Sequence, residues 1–253
     1  MNDPRVEWLQ YTFRSLEEHH DYSKAQTWTG RTPEFELTLQ NDTLRATPIG
    51  NFSSEDQART ALEPFLRAWE LEADLRDGVR IRFSYASGNV VDRNPTPGSV
   101  TVAAGVASAV AMVPDVTPQV GHSTYPAPPT EPLLESPFVK ELLDALHEVR
   151  QGRQRLLVSA YLFQTRIVYE YGTLEPAAGA LNISEPILRK LGELSVVNDP
   201  RERRKVRGPE RPLSEEERVW ITAALPKITL HIARQAAGVQ VPQLTMADLP
   251  RVT

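Results

Sequence analysis

Apolar positions along the chain recur with two periods. Val6, Leu9, Phe13 and Leu16 fall three and four residues apart, a spacing that predicts a first amphipathic helix. Phe35, Leu37 and Leu39 alternate with polar residues, Asn41-Asp42 turns the chain, and Leu44 opens a second short strand, which together predict a hairpin. Ser54 and Gln57 stand at capping-box spacing before a broad apolar stripe of Ala58, Leu62, Phe65, Leu66, Trp69, Leu71 and Ala73 that ends near Asp77-Gly78. Val79, Ile81, Phe83 and Tyr85 then alternate strictly with Arg80, Arg82 and Ser84, the pattern of a half-buried strand. Val100, Val102, Val106 and Val110 predict a further strand or strand pair.

Seven prolines lie between Pro114 and Pro137, and proline supplies no donor for a ladder or a helix interior. Residues 114–136 therefore read as a semi-rigid connector between an α+β domain at 1–113 and a helical domain at 137–240. In the second half Ser136-Pro137 starts one helix, and Phe138, Leu142, Ala145, Leu146 and Val149 form its stripe. Another runs from Leu156 through Phe163 and Ile167 to Tyr171 and stops at Gly172. A short pair spans Pro176 to about Leu194. Ser214 and Glu217 form a capping box for a last helix that reaches Gly238, and the polar tail 241–253 is expected to fray. The predicted fold class is α+β: an N-terminal antiparallel sheet with helices, a proline-rich connector and a C-terminal all-helical bundle.

Composition narrows the chemistry. The 253 residues contain no cysteine, which rules out disulfides, zinc–thiolate sites and a cysteine nucleophile. The net charge of −5 argues against a general affinity for nucleic acid or anionic membranes, and no stretch approaches a membrane span. With no signal-peptide pattern at the N-terminus, the expected location is cytoplasmic. The sequence holds no phosphate-cradling glycine loop, no H-E-x-x-H and no G-x-S-x-G. His147-Glu148 is half of a metalloprotease motif, and Arg14 before His19 and His20 matches a spacing that chance supplies in so arginine-rich a chain.

Each remaining candidate has a plainer explanation beside it. His19-His20-Asp21 suits the C-terminus of the first predicted helix better than a metal or an acid–base pair. Asp92-Arg93-Asn94 follows the strong strand and reads as a turn, although loops past strands often carry sites. Trp69 and Trp220 read as core, Trp28 as loop-borne, and Glu215, Glu216 and Glu217 as first-turn acids. No catalytic residue, metal ligand or cofactor is assigned.

One segment has a functional edge. Leu174 to Leu194 has helix-turn-helix spacing: Ala178 is the small residue, Leu181 and Ile183 flank a turn at Asn182, Ser184 caps, and Leu188 and Leu191 anchor. Gly179 and Pro186 shorten both helices, and the same spacing arises wherever two short helices make a corner. Arg189 and Lys190 on the second helix precede Arg201, Arg203, Arg204, Lys205, Arg207 and Arg211. From Pro186 to Arg211 eight basic residues face four acidic ones, a local basic patch on an acidic molecule. The leading expectation is a non-enzymatic intracellular interaction protein that meets another macromolecule, protein or nucleic acid but no membrane, through this basic helical segment. The alternatives are a DNA-binding regulator built on 174–194 and an enzyme with its site near Asp92 or His19. The leading reading requires the cationic stretch to stand free of carboxylates of the same molecule.

Overall fold

The structure, a computed structural model, describes residues 3–17, 20–94, 120–197, 199 and 211–251. Two compact units divide the chain, residues 1–129 and 130–253. The architecture is α+β, with an antiparallel five-stranded sheet in the first unit and helices dominating the second.

In the first unit β1 (Pro4–Ser15), β3 (Trp28–Arg31), β4 (Phe35–Gln40), β5 (Thr43–Pro48) and β6 (Ile81–Asp92) form one sheet in the order β3-β4-β5-β1-β6. Period-2 alternation puts Leu9, Tyr11, Phe13, Leu37, Leu39, Leu44 and Phe83 on one face, where all are buried. Helix α1 (Glu55–Glu72) covers that face with Ala58, Leu62, Leu66 and Trp69. Ser54 caps α1 by accepting from the Gln57 amide, and the helix ends in a π-helical turn, Ala73–Asp77, before Gly78 at φ 71°. The β4–β5 hairpin turns at Asn41 and Asp42, which take φ of 48° and 55° as a type I′ turn asks.

The first helix predicted from Val6, Leu9, Phe13 and Leu16 is instead strand β1. Two features misled the periodicity. A register shift between Val6 and Trp8 inserts one extra residue, so Val6 and Leu9 share the buried face although three residues separate them. From Leu9 onward the buried set is Leu9, Tyr11 and Phe13, a period of two in aromatic-rich sequence that suits a strand. The helix C-terminus expected at His19-His20 falls with it. His20–Asp21 is a short strand, β2, paired in parallel with β7 (Val120–Gly121). The strands predicted from Val100 to Val110, and His19 itself, lie outside the described residues.

Residues 122–127, within the predicted connector, pack on the first unit's core. Tyr125 is buried among Phe13 and Tyr22, its hydroxyl accepts from the Asp42 amide, and Trp69 Nε1 donates to the Pro126 carbonyl at 3.0 Å. Trp28 is not loop-borne. It opens β3, its ring lies over Gly30, and it meets Trp69 edge-on with centroids 4.7 Å apart.

The second unit contains α2 (Pro137–Arg150), α3 (Leu156–Tyr171), α4 (Leu174–Ala180), α5 (Glu185–Ser195) and α6 (Glu215–Ala236). Leu142, Phe163, Ile167, Leu188, Leu191, Trp220 and Ile228 fill its core. The start signals hold: Ser136 caps α2 with Pro137 in the first turn, and Ser214 with Glu217 forms the capping box of α6. The tail does not fray through its described part. Leu244 bridges Ile183 in parallel, a 3₁₀ turn follows at Met246–Asp248, and Leu249 is buried. Among the described residues no helix is long and apolar enough to cross a membrane.

Candidate functional site

Of the described members of the basic segment, Arg211 precedes α6, and Arg189 and Lys190 stand on helix α5. Its apolar residues Ile187, Leu188, Leu191 and Leu194 are buried, which leaves a narrow exposed strip of Pro186, Arg189 and Glu193. Glu185, one turn before Arg189, takes its guanidinium in an ion pair. Lys190 turns the other way and sets its ammonium 5.6 Å from the centroid of buried Trp220. Arg211 forms a bidentate pair with Glu217 at 2.7 Å, which holds that carboxyl below the usual carboxylate range. The freedom from carboxylates that the basic-segment reading requires is therefore not met at Arg189 or Arg211. Arg201, Arg203, Arg204, Lys205 and Arg207 lie outside the described residues.

The helix-turn-helix spacing does build a corner between α4 and α5. Asn182 takes φ 48°, the left-handed conformation expected of it. Its side-chain amide donates to the Val241 carbonyl at 2.9 Å, and Leu244 exchanges backbone hydrogen bonds with Asn182 and Ser184. From the other side, buried His231 on α6 meets the Leu181 carbonyl at 2.9 Å, and burial pulls this imidazole below its ordinary pKa. The turn is thus held between α6 and the C-terminal segment.

Beside this corner runs an open groove of about 1040 Å³. Four separate segments make it: the start of α2, the end of α3, the α4–α5 corner, and the end of α6 with residues 238–241. Phe138, Leu181, Ile232 and Val239 supply apolar lining. Arg166 lines it, paired with Glu141 and set 5.4 Å from the Tyr169 ring centroid. Tyr171, edge-on to Phe138, has its phenol pushed above the ordinary value by burial and then by the Glu170 charge. Outside the groove α3 exposes Tyr161, Leu162 and Tyr169, the last to 78%. At 100° per residue these three and Arg166 fall within one roughly 140° arc of the helix. Composition and motif gave no sign of this groove, since no one segment contains it. Of the exposed stripe, Tyr161 falls within the helical apolar stripe of the sequence, whereas Leu162 and Tyr169 lie off that stripe and carry no motif of their own.

In the first unit, His20 Nδ1 and His122 Nε2 lie 2.6 Å apart, and His20 Nε2 is 3.1 Å from a Glu17 carboxylate oxygen. Tyr22 stacks on His122, and its phenol is pushed up to about 12 by burial. Among the described residues no group of three carboxylate or imidazole side chains is arranged to hold a metal ion. Asp92 lies at the far end of the sheet, opposite Pro4 of β1, whereas the histidine pair follows Ser15. The eleven steps of a strand that separate these ends span roughly 35 Å, so Asp92 and His20 cannot share one site. Asp92 accepts from the backbone amides of Asp3 and Asn94, as a residue fixing a turn does.

Comparison of the chain with protein-family models, with curated proteins and with solved structures finds no match.

Proposed function

We propose that the protein is a non-enzymatic interaction protein whose helical unit holds a segment of another protein in the groove between α2, α3 and the α4–α5 corner. The observation that carries this reading is Arg166, which stands at the groove's edge between Glu141 and the exposed ring of Tyr169. Tyrosine and arginine dominate binding energy where they cluster, because each offers large contact area with a directional polar end. An exposed aromatic stripe next to an open, partly apolar groove is the surface such a partner needs. The groove's ionisable residues also favour holding over chemistry, since Arg166 already neutralises Glu141 and the Tyr171 phenol is made harder to ionise. The basic run at 201–207 would add long-range attraction for an acidic partner and does not define the contact.

A photo-crosslinking residue at position 169 tests the reading in cells, with the same residue at exposed Lys140 of α2 as control. The expected result is one discrete protein adduct from position 169 that Arg166→Ala removes. Identical adduct patterns from the two positions overturn the reading.

A further inference from the structure

The outer face of the first unit's sheet is cationic on an acidic molecule. Ladder register sets Arg14 of β1 directly opposite Arg82 of β6, and both are exposed. Neither makes an ion pair among the described residues, and like charges directly opposite one another destabilise a ladder. On β5, the strand beside β1, Arg45, also exposed, lies 5.1 Å from the centroid of the Trp8 ring. Arg31 is opposed by Glu36, and Glu7, whose partner Asn89 is uncharged, offsets one further positive charge, so Arg14, Arg45 and Arg82 still leave this face net cationic. Between them stand hydroxyls and an amide: Thr12 opposite both Thr43 and Ser84, and Gln10 opposite Arg45.

We infer that this sheet face binds single-stranded RNA, with Arg14, Arg82 and Arg45 on phosphates and Trp8 beneath a base. A repulsive arginine pair that the fold itself does not use is relieved when a phosphodiester sits between the two guanidinium groups. Trp8, now under the Arg45 guanidinium, offers a base a stacking surface once Arg45 turns to a phosphate. Geometry excludes the inside of a duplex groove: five strands about 4.8 Å apart make a sheet roughly 19 Å across, wider than the roughly 12 Å major groove of B-form DNA. Lipid is disfavoured because Trp8 is the lone large apolar side chain among the outward residues named here, too little to anchor in a bilayer interface. The threonine and serine hydroxyls and Gln10 favour RNA over DNA, because the ribose 2′-hydroxyl can both donate to and accept from them.

Fluorescence anisotropy of the full chain with a labelled 12-nucleotide RNA of mixed sequence tests the inference, beside the same sequence as DNA and as RNA duplex, from 50 to 200 mM salt. Three phosphates neutralised on a single strand give a log–log salt slope of about −2, and the RNA strand binds more tightly than the other two. The Arg14→Ala/Arg82→Ala variant weakens binding and flattens the slope by about 1.4. Trp8→Ala loses about 5- to 150-fold in affinity with little change of slope. Charge reversal at exposed Arg14 alone, Arg14→Glu, provides a second variant that leaves Trp8 and the core untouched. Equal binding of RNA and DNA overturns the choice of ligand. Absent RNA binding, or binding lost in an Arg203→Ala/Arg204→Ala/Lys205→Ala variant but kept in Arg14→Ala/Arg82→Ala, overturns the site.

Discussion

His20 Nδ1 lies 2.6 Å from His122 Nε2, although 102 residues separate them in sequence. One nitrogen must donate and the other accept, so the contact survives only while the pair shares a single proton at that position. Burial, then the charge of His20, pulls His122 below its ordinary value, against a weaker opposing pull from Asp21. The contact thus admits a second proton less readily than the unfolded imidazoles do. Its stabilising contribution is complete above the unfolded value of about 6.5 and is lost as pH falls through the lower folded value. His231 is shifted in the same direction and adds to the trend. Chemical denaturation between pH 7.5 and 5 is expected to show stability falling with pH, less steeply in His122→Gln. A titration of the His122 ring by NMR with a midpoint at or above 6.5 contradicts this.

Gly30 is fixed by its neighbour two residues back. The Trp28 ring crosses the place a Cβ would occupy and rests against Trp69. Gly30→Ala forces that ring off the core, and overpacking of this kind costs about 1–3 kcal/mol. The near-ultraviolet circular dichroism of the tryptophan pair should weaken together with the denaturation midpoint. A variant with wild-type stability and an unchanged spectrum would show that Trp28 packs elsewhere.

At the α4–α5 corner two effects of Asn182 separate by substitution. Asn182→Gly keeps the left-handed backbone at low cost but loses the bond to Val241, whereas Asn182→Ala loses the bond and strains the turn. Thermal melts should place the alanine variant about 1 kcal/mol below the glycine variant. Equal stabilities would mean that the backbone conformation contributes nothing there.

Asp199 is fully buried, 2.8 Å from Arg218 and 3.0 Å from the Leu213 amide nitrogen. It ties the segment before α6 to the helix's first turns. Asp199→Asn keeps the shape and removes the buried charge that Arg218 faces. Because Arg218 retains some exposure, the expected loss is about 2–3 kcal/mol, below the range for fully buried pairs. Urea denaturation measures it, and a loss under about 0.5 kcal/mol, the level of an exposed pair, contradicts the burial argument.

Local chemistry was legible in the sequence, and long-range assembly was not. Ser54, Ser136 and the Ser214–Glu217 box mark helix starts because a cap is a bond between residues three apart. The turn at Asn41-Asp42 and the strand from Ile81 are equally local. β1 was mistaken because one bulged residue converts a strand's period of two into a helix-like step of three. The opposition of Arg14 and Arg82 depends on register, and that of His20 and His122 on a pairing across a hundred residues. The groove depends on four segments meeting. The tail's order is local as well: Leu244 and Leu249 are apolar, and Thr245 with Asp248 has capping-box spacing.

The affinity of the helical unit's partner for the purified full-length chain, measured by calorimetry with and without Tyr169→Ala, bears most directly on the proposal. Truncating an exposed ring remote from the core leaves the fold intact, so a change in affinity reports on the contact surface formed by Tyr169 and the Arg166 it faces. The account predicts a loss of at least about 30-fold, the level of a binding hot spot. An affinity within twofold of the unaltered protein would contradict it.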